Sequence, residues 1–371
     1  MDHDKPDAAA LLHLRAAGLA KGDPLALPIT PASMFSLPGA PEAGVDAYGR
    51  MSNPTWRALE EALGHLEGAP ALAFPSGMAA ICAALFATLK AGDRLLLPAD
   101  GYYTPRVLAD RFLAGLGIAV ETRATARIAE GGFDGFRAVL IETPSNPGLE
   151  ICDLAEVTAM VRGAGGISIV DNTTMTPFGQ RPLALGADIV VASDTKAPGG
   201  HSDLLMGHVA SHDTGLMDGV RDWRTLTGSI PSAFDAWLLH RSLETLELRF
   251  ARMCDSAGEI AARLAGHSAV RAVIYPGLAG HPQHALADRQ MRRAGFLIGV
   301  VLDDAAAADR FIAACPLVEP TTSFGGVHTT AERRARWGDA VPDGFLRLSV
   351  GTEPVDALWT AIDEALQDAT I

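Results

Sequence analysis

The sequence predicts an α/β protein with a mostly parallel central sheet flanked by helices, followed by a smaller α+β region. Three observations carry that prediction. Short apolar runs without strict alternation recur at 94–97, 138–141, 167–170 and 188–192, each bounded by Gly, Asp or Pro; strands buried on both faces read this way. Helical patterns lie between the runs, the alternation that builds parallel sheets. With 371 residues, 48% hydrophobic and 20% charged, the chain can supply two or three domains and a sizeable core.

In order along the chain, residues 8–19 carry a short helical pattern, and a stretch with Pro24, Pro28, Pro31, Pro38 and Gly39 follows. Residues 1–47 have too little apolar periodicity for a core of their own and are expected to lie as an arm on other elements. Pro54-Thr55-Trp56 opens a helix running to Leu66, with proline in its first turn. Gly77-Met78-Ala79-Ala80 opens a second, ending near Ala91-Gly92-Asp93. A long helical stretch is expected over 234–265. The expected division is a large domain at 48–245 and a C-terminal α+β domain at 246–371.

The formal net charge is -14, so the chain repels phosphate backbones and anionic membranes, and no nucleic acid or membrane partner is expected. No apolar run reaches the roughly 18 residues of a membrane-spanning helix. The start, Met1-Asp2-His3-Asp4-Lys5, lacks the basic and apolar regions of a secretion signal. Cys82, Cys152, Cys254 and Cys315 are scattered, as reduced buried thiols would be. A cytoplasmic protein is expected.

Ligands of open α/β sheets sit beyond the carboxyl ends of the strands. After Val170 comes Asp171-Asn172-Thr173, after Ala192 comes Ser193-Asp194-Thr195-Lys196, and after Ile141 comes Glu142-Thr143-Pro144-Ser145-Asn146-Pro147. Pyridoxal phosphate needs this inventory. A lysine must hold the cofactor as a Schiff base, and a carboxylate must keep its ring nitrogen protonated. Hydroxyls and helix N-terminal amides must hold its phosphate. Lys196 fits the first role, Asp171 the second, and Ser193, Thr195, Gly77 and Met78 the third. Singly, each has an ordinary explanation, such as a solvated lysine or a helix-capping aspartate; the joint placement points to the cofactor.

At these residues the chain resembles the cystathionine γ-lyase, β-lyase and γ-synthase group of fold-type I pyridoxal-phosphate enzymes. The resemblance runs from Tyr48 onward. Its motifs include Tyr48-Gly49-Arg50, Phe74-Pro75-Ser76-Gly77-Met78, the Glu142 to Pro147 run, Val170-Asp171-Asn172-Thr173 and Ser193-Asp194-Thr195-Lys196. Ser323-Phe324-Gly325-Gly326 and Arg347-Leu348-Ser349-Val350-Gly351 complete them. The resemblance implies that Tyr48 and Arg50 reach the phosphate of a neighbouring subunit, so the site needs a dimer, within a homotetramer. It implies that Tyr103 stacks on the cofactor and moves protons, that Asn146 lies near the ring hydroxyl, and that Arg347, with Ser323 and Asn146, binds the substrate carboxylate. A planar guanidinium suits that task.

Other motifs are set aside. Gly163-Ala164-Gly165-Gly166 follows a helix and precedes a strand, the reverse of a dinucleotide fingerprint. His208 and His212, four apart, lack the His-Glu-x-x-His pattern of a zinc site and are expected to be surface or turn histidines. No metal is expected. Arg333, Arg334 and Arg336 beside Trp337 are either a solvated helix face, or one of the arginines lines the substrate entrance.

The resemblance implies a sulfur amino acid as substrate and carbon–sulfur bond cleavage as reaction. Tyr103-Thr104-Pro105 is similar to bacterial β-lyases, and the chain lacks the cysteine that methionine γ-lyases place just after this tyrosine. His328 stands where the family often has glutamate. The run from Gly326 to Trp337 looks most like bacterial γ-lyases, so γ-elimination of L-cystathionine is expected. β-Lyase or γ-synthase activity is the alternative, and a non-catalytic regulatory fold is disfavoured because Lys196, Asp171 and Arg347 are all present.

Overall fold

The computed structural model describes residues 6–40, 42 and 44–369. The first five residues, on which the expectation about a secretion signal rests, lie outside them. A seven-stranded mixed sheet is flanked by helices, and a five-stranded sheet follows in the C-terminal region.

In the first part, helices α1 (Ala8–His13), α2 (Pro54–Glu67), α3 (Gly77–Thr88), α4 (Thr104–Leu108), α5 (Leu154–Gly163), α6 (Thr176–Gly179), α7 (Thr214–Thr227) and α8 (Ala233–Leu243) accompany seven strands. The strands are β1 (Ala71–Phe74), β2 (Arg94–Pro98), β3 (Ala119–Arg123), β4 (Ala138–Glu142), β5 (Ile167–Asp171), β6 (Ile189–Ala192) and β7 (Gly207–Ala210). Their order is β1-β7-β6-β5-β4-β2-β3. Strands β6, β5, β4, β2 and β3 run parallel, and β7 is antiparallel to both its neighbours. Every residue of β4 is buried, as a strand covered by helices on both faces requires. The carboxyl ends of β4, β5 and β6 therefore open at one edge, carrying Glu142, Asp171 and Ser193.

The helix starts follow local chemistry. Asn53 caps α2 by accepting the Thr55 N–H, and Gly68 ends it with φ +74°. Helix α3 is shorter than its pattern predicts. Leu89 turns extended, and the Thr88 hydroxyl bonds back to the Ala84 and Leu85 carbonyls. The stretch 234–265 is two helices rather than one, α8 and α9 (Leu246–Ala265). The chain breaks at Glu244-Thr245, where the Ser242 carbonyl is taken by the Thr245 N–H and the Arg249 guanidinium.

After α9, strands β8 (Ala272–Ile274), β9 (Leu297–Val301), β10 (Glu319–Pro320), β11 (Thr330–Arg333) and β12 (Phe345–Ser349) order as β10-β11-β12-β9-β8. Helices α10 (His284–Gln290), α11 (Ala305–Ala314) and α12 (Val355–Ala369) complete the chain, and a second apolar core joins α9, α11 and α12 to this sheet. The Pro-rich segment before α2 is tied down by polar contacts, the Trp237 indole donating to the Leu27 carbonyl and the Asn53 amide to that of Thr30. Among the described residues no helix is long and apolar enough to cross a membrane.

Candidate active site

Strand ends, the start of α3 and the loop after β10 enclose a cavity of about 560 Å³. All the expected site residues line it except Tyr48 and Arg50. Those two are stacked on each other outside it, the Arg50 guanidinium 5.5 Å from the Tyr48 ring centre. Arg50 also donates to the Thr225 carbonyl.

Lys196 projects into the cavity, its Nζ 3.0 Å from Ser323 Oγ and 5.0 Å from the Phe324 ring centre. Burial, reinforced by the Arg347 charge and opposed by Asp171, lowers its pKa to about 8. Asp171 is the last residue of β5. Its Oδ1 accepts the Thr173 N–H at 3.0 Å and the Thr173 hydroxyl at 2.5 Å. Burial raises its proton affinity against those bonds and against Lys196 and His208.

At the start of α3, the Ser76 hydroxyl takes the Ala79 N–H and its carbonyl the Ala80 N–H. The two preceding amides, of Gly77 and Met78, are at the cavity wall. A Cβ on Gly77 would lie 2.6 Å from that of Ser193, and one on Gly207 would lie 2.7 Å from Gly77 Cα. Glycine at both positions lets α3, Ser193 and β7 close into one cradle of N–H and O–H donors at a helix N-terminus, a receptor for a phosphate. Thr195 is held in it by bonds to both the N–H and the carbonyl of Met206.

Across the cavity, the buried Arg347 on β12 donates from Nη1 to Asn146 Oδ1 at 2.7 Å and from Nη2 to the Thr322 carbonyl at 2.8 Å. Burial lowers its pKa to about 10, which leaves it cationic at neutral pH. Its Nε is a buried donor with no acceptor among the described residues, so the guanidinium has capacity for an incoming carboxylate.

A profile of the Cys/Met metabolism PLP-dependent enzymes matches residues 20–367. The chain belongs to this family. It is similar to the "Putative cystathionine gamma-lyase" of Streptomyces coelicolor, 48% identical over 91% of this chain and 88% of that one. The cystathionine beta-lyase of Lactococcus lactis is 35% identical over 92% and 94%. The crystal structure of cystathionine gamma synthase from Xanthomonas oryzae pv. oryzae in complex with cystathionine superposes with a TM-score of 0.93, at 34% identity and 98% coverage of both chains.

As a member of this family, the chain is an enzyme of Cys/Met metabolism with pyridoxal 5′-phosphate as its cofactor. The cavity fits that group: one lysine of lowered pKa, one buried carboxylate at a neighbouring strand end, and a glycine-walled donor cradle.

The structure also brings in residues to which no role was assigned from sequence. Glu142 lines the cavity and accepts the Tyr102 N–H at 2.6 Å and the Asn146 N–H at 2.9 Å. Burial first, then the Asp171 charge, raises its pKa above the ordinary carboxylate range. Its position at a strand end was the available signal. Glu332, fully buried, accepts from Arg334 Nη1 at 2.7 Å and Trp337 Nε1 at 2.5 Å, and lies 3.4 Å from Arg347. Arg334 is buried between Glu332 and Asp339, and with Trp337 it lines the cavity. One arginine of the basic cluster, Arg334, thus lines the cavity, while Arg333 pairs with Asp309 and Arg336 is half exposed. His328 is exposed in an adjoining hollow that also contains Asp203 and Asp235.

His208 corrects the expectation of a surface or turn histidine. It lies buried on β7, its Nδ1 2.9 Å from both Asp194 oxygens and its Nε2 3.2 Å from Glu67. Burial pushes its pKa down, but the two carboxylates overcome this and raise it to about 10. It is an imidazolium clamped by two acids. Among the described residues no His, Cys, Asp and Glu cluster could hold a metal ion.

Proposed function

We propose that the protein is a cystathionine γ-lyase, releasing cysteine, 2-oxobutanoate and ammonia from L-cystathionine and water. The observation that carries a lyase reading is the placement of Lys196, with its pKa lowered to about 8, in one cavity with the carboxylate receptor of Arg347 and Asn146. Support for the γ-position is the 48% identity to a relative named "Putative cystathionine gamma-lyase", against 35% for a β-lyase and 36% for a γ-synthase.

Gly77, Met78, Ser193 and Thr195 would hold the cofactor phosphate, with Tyr48 and Arg50 of a second subunit, and Asp171, Asn146 and Tyr103 would hold its ring. Bound there, pyridoxal phosphate supplies an electron sink for the pair left on the substrate's α-carbon. Arg347 grips the α-carboxylate through paired donors, and Asn146 and Ser323 fix its orientation. The Lys196 amine, substantially neutral near pH 8, takes the proton from the α-carbon and serves a second proton transfer at the β-carbon. Tyr103, at the cavity mouth, moves the proton that the departing sulfur needs. Phe324, Trp337 and Arg334, the last held by the buried Glu332, wall the cavity and limit water.

Product identification tests the reading. Holoenzyme incubated with L-cystathionine is expected to release 2-oxobutanoate and cysteine. Pyruvate with homocysteine, and no 2-oxobutanoate, would replace γ-lyase with β-lyase, the activity with which Tyr103-Thr104-Pro105 is also compatible.

A further inference from the structure

We infer that Glu142 is a positioning residue that ties the turn carrying Tyr103 to the loop carrying Asn146, and through Asn146 to Arg347. The inference rests on the cavity being an amino-acid site. Glu142 ends β4 and is the register partner of Asp171 at the end of β5. One oxygen accepts the Tyr102 N–H at 2.6 Å, and the other accepts the Asn146 N–H at 2.9 Å. A single carboxylate thus joins two loops forty-odd residues apart. Asn146 in turn accepts from Arg347 at 2.7 Å, so the chain of contacts runs from Tyr102, the neighbour of Tyr103, to the guanidinium.

Gly101 provides a second observation. Its Cβ, if present, would lie 2.6 Å from Glu142 Oε2 and 2.9 Å from Pro98 Cγ. The backbone before Tyr102 passes over the carboxylate at a distance a side chain would not permit. The loop is shaped around the acid.

Chemistry favours a carboxylate over a neutral acceptor. Two backbone N–H groups approach two different oxygens, and a glutamine would present its own NH₂ to one of them. Placing a buried acid beside Asp171 is unfavourable by like-charge repulsion and desolvation. The two N–H bonds and the Arg347 charge across the cavity favour the ionised form against the rise in pKa that burial and Asp171 impose.

Glu142→Gln and Gly101→Ala holoenzymes are compared with wild type by titrating L-alanine, which has no leaving group, and following the visible absorbance of the cofactor. Turnover of L-cystathionine and thermal unfolding are measured alongside. For Glu142→Gln the L-alanine Kd is expected to rise about tenfold and kcat to fall about 100-fold, the scale of a small misplacement of reacting groups, with the cofactor band retained. Gly101→Ala displaces only the Tyr102 end, so kcat falls while the L-alanine Kd stays within about twofold. Kd and kcat both within about twofold of wild type in Glu142→Gln, or a change in unfolding temperature alone, would overturn the inference. Where Glu142→Gln does not fold, an unchanged kcat in Gly101→Ala overturns it. A wild-type enzyme that cleaves no carbon–sulfur bond would sink the lyase reading, while the L-alanine titration would still judge Glu142.

Discussion

Arg347 and Asn146, 201 residues apart, meet through a 2.7 Å hydrogen bond from Nη1 to Oδ1. The bond joins a strand of the C-terminal sheet to a loop of the large sheet, at the wall of the cavity. It orients the guanidinium without neutralising it, because an amide carries no charge.

That arrangement predicts a binding defect. Arg347→Lys loses the fork, and Asn146→Ala leaves Nη1 without its acceptor. A hydrogen bond to a charged group is worth about 1.5–3 kcal/mol, so KM for L-cystathionine is expected to rise roughly 10- to 100-fold in either variant. Steady-state kinetics checks this; a KM unchanged in Arg347→Lys would move the carboxylate receptor elsewhere.

Lys196 predicts a pH dependence. Its pKa is lowered to about 8, by burial and by Arg347 against Asp171. Only the neutral amine is nucleophilic. In cofactor-free protein, the rate of recombination with pyridoxal phosphate should therefore rise through about pH 8 and level off above it, measured by growth of the absorbance near about 420 nm. Lys196→Ala should show no such band. A rate still climbing toward pH 10.5, the ordinary lysine value, would contradict the buried setting.

His208 predicts how stability changes with pH. Its folded pKa, about 10, stands above the ordinary 6.5. The folded state therefore binds a proton that the unfolded chain releases between those values. The contribution is complete below about pH 6.5 and is lost as pH rises through 10. Removing the cation leaves Asp194 and Glu67 buried without it, a loss of about 3–5 kcal/mol for a broken buried pair. Thermal unfolding from pH 6 to 10.5 should show wild type falling toward the His208→Gln variant, with the variant flatter. Parallel curves would refute the assignment.

Arg50 predicts complementation between subunits. It lies outside its own chain's cavity, so its expected partner is the cofactor phosphate of a neighbour. Arg50→Ala and Lys196→Ala proteins should each be inactive or nearly so. Unfolded together and refolded as a mixture, they should regain activity in hybrid sites that combine an intact Lys196 with an intact Arg50. No recovery in a mixture shown to contain hybrids would place the phosphate ligand within one chain.

The strand ends were readable because each signal is local. A parallel strand covered on both faces must be apolar throughout, and the first polar residues after it stand at the ligand edge; Asp171, Ser193 and Lys196 follow that rule. Strand β3 was not readable, since its edge position leaves Ala119 to Arg123 largely exposed and without an apolar signature. Nor was β7, four residues with a histidine in the middle. The break at Thr245 was hidden within a continuous helical pattern.

The sequence by itself determined the parallel core, the donor-rich start of α3, and the lysine and aspartate at the strand ends that line the cavity, because short-range periodicity and residue type specify these. Only the tertiary structure decided what lies across from them. Glu332 meets Arg347 through the register of β11 against β12, Glu142 bridges two loops, and His208 is caged by acids 14 and 141 residues away. Such contacts depend on strand register and on how elements pack, and no local pattern records either.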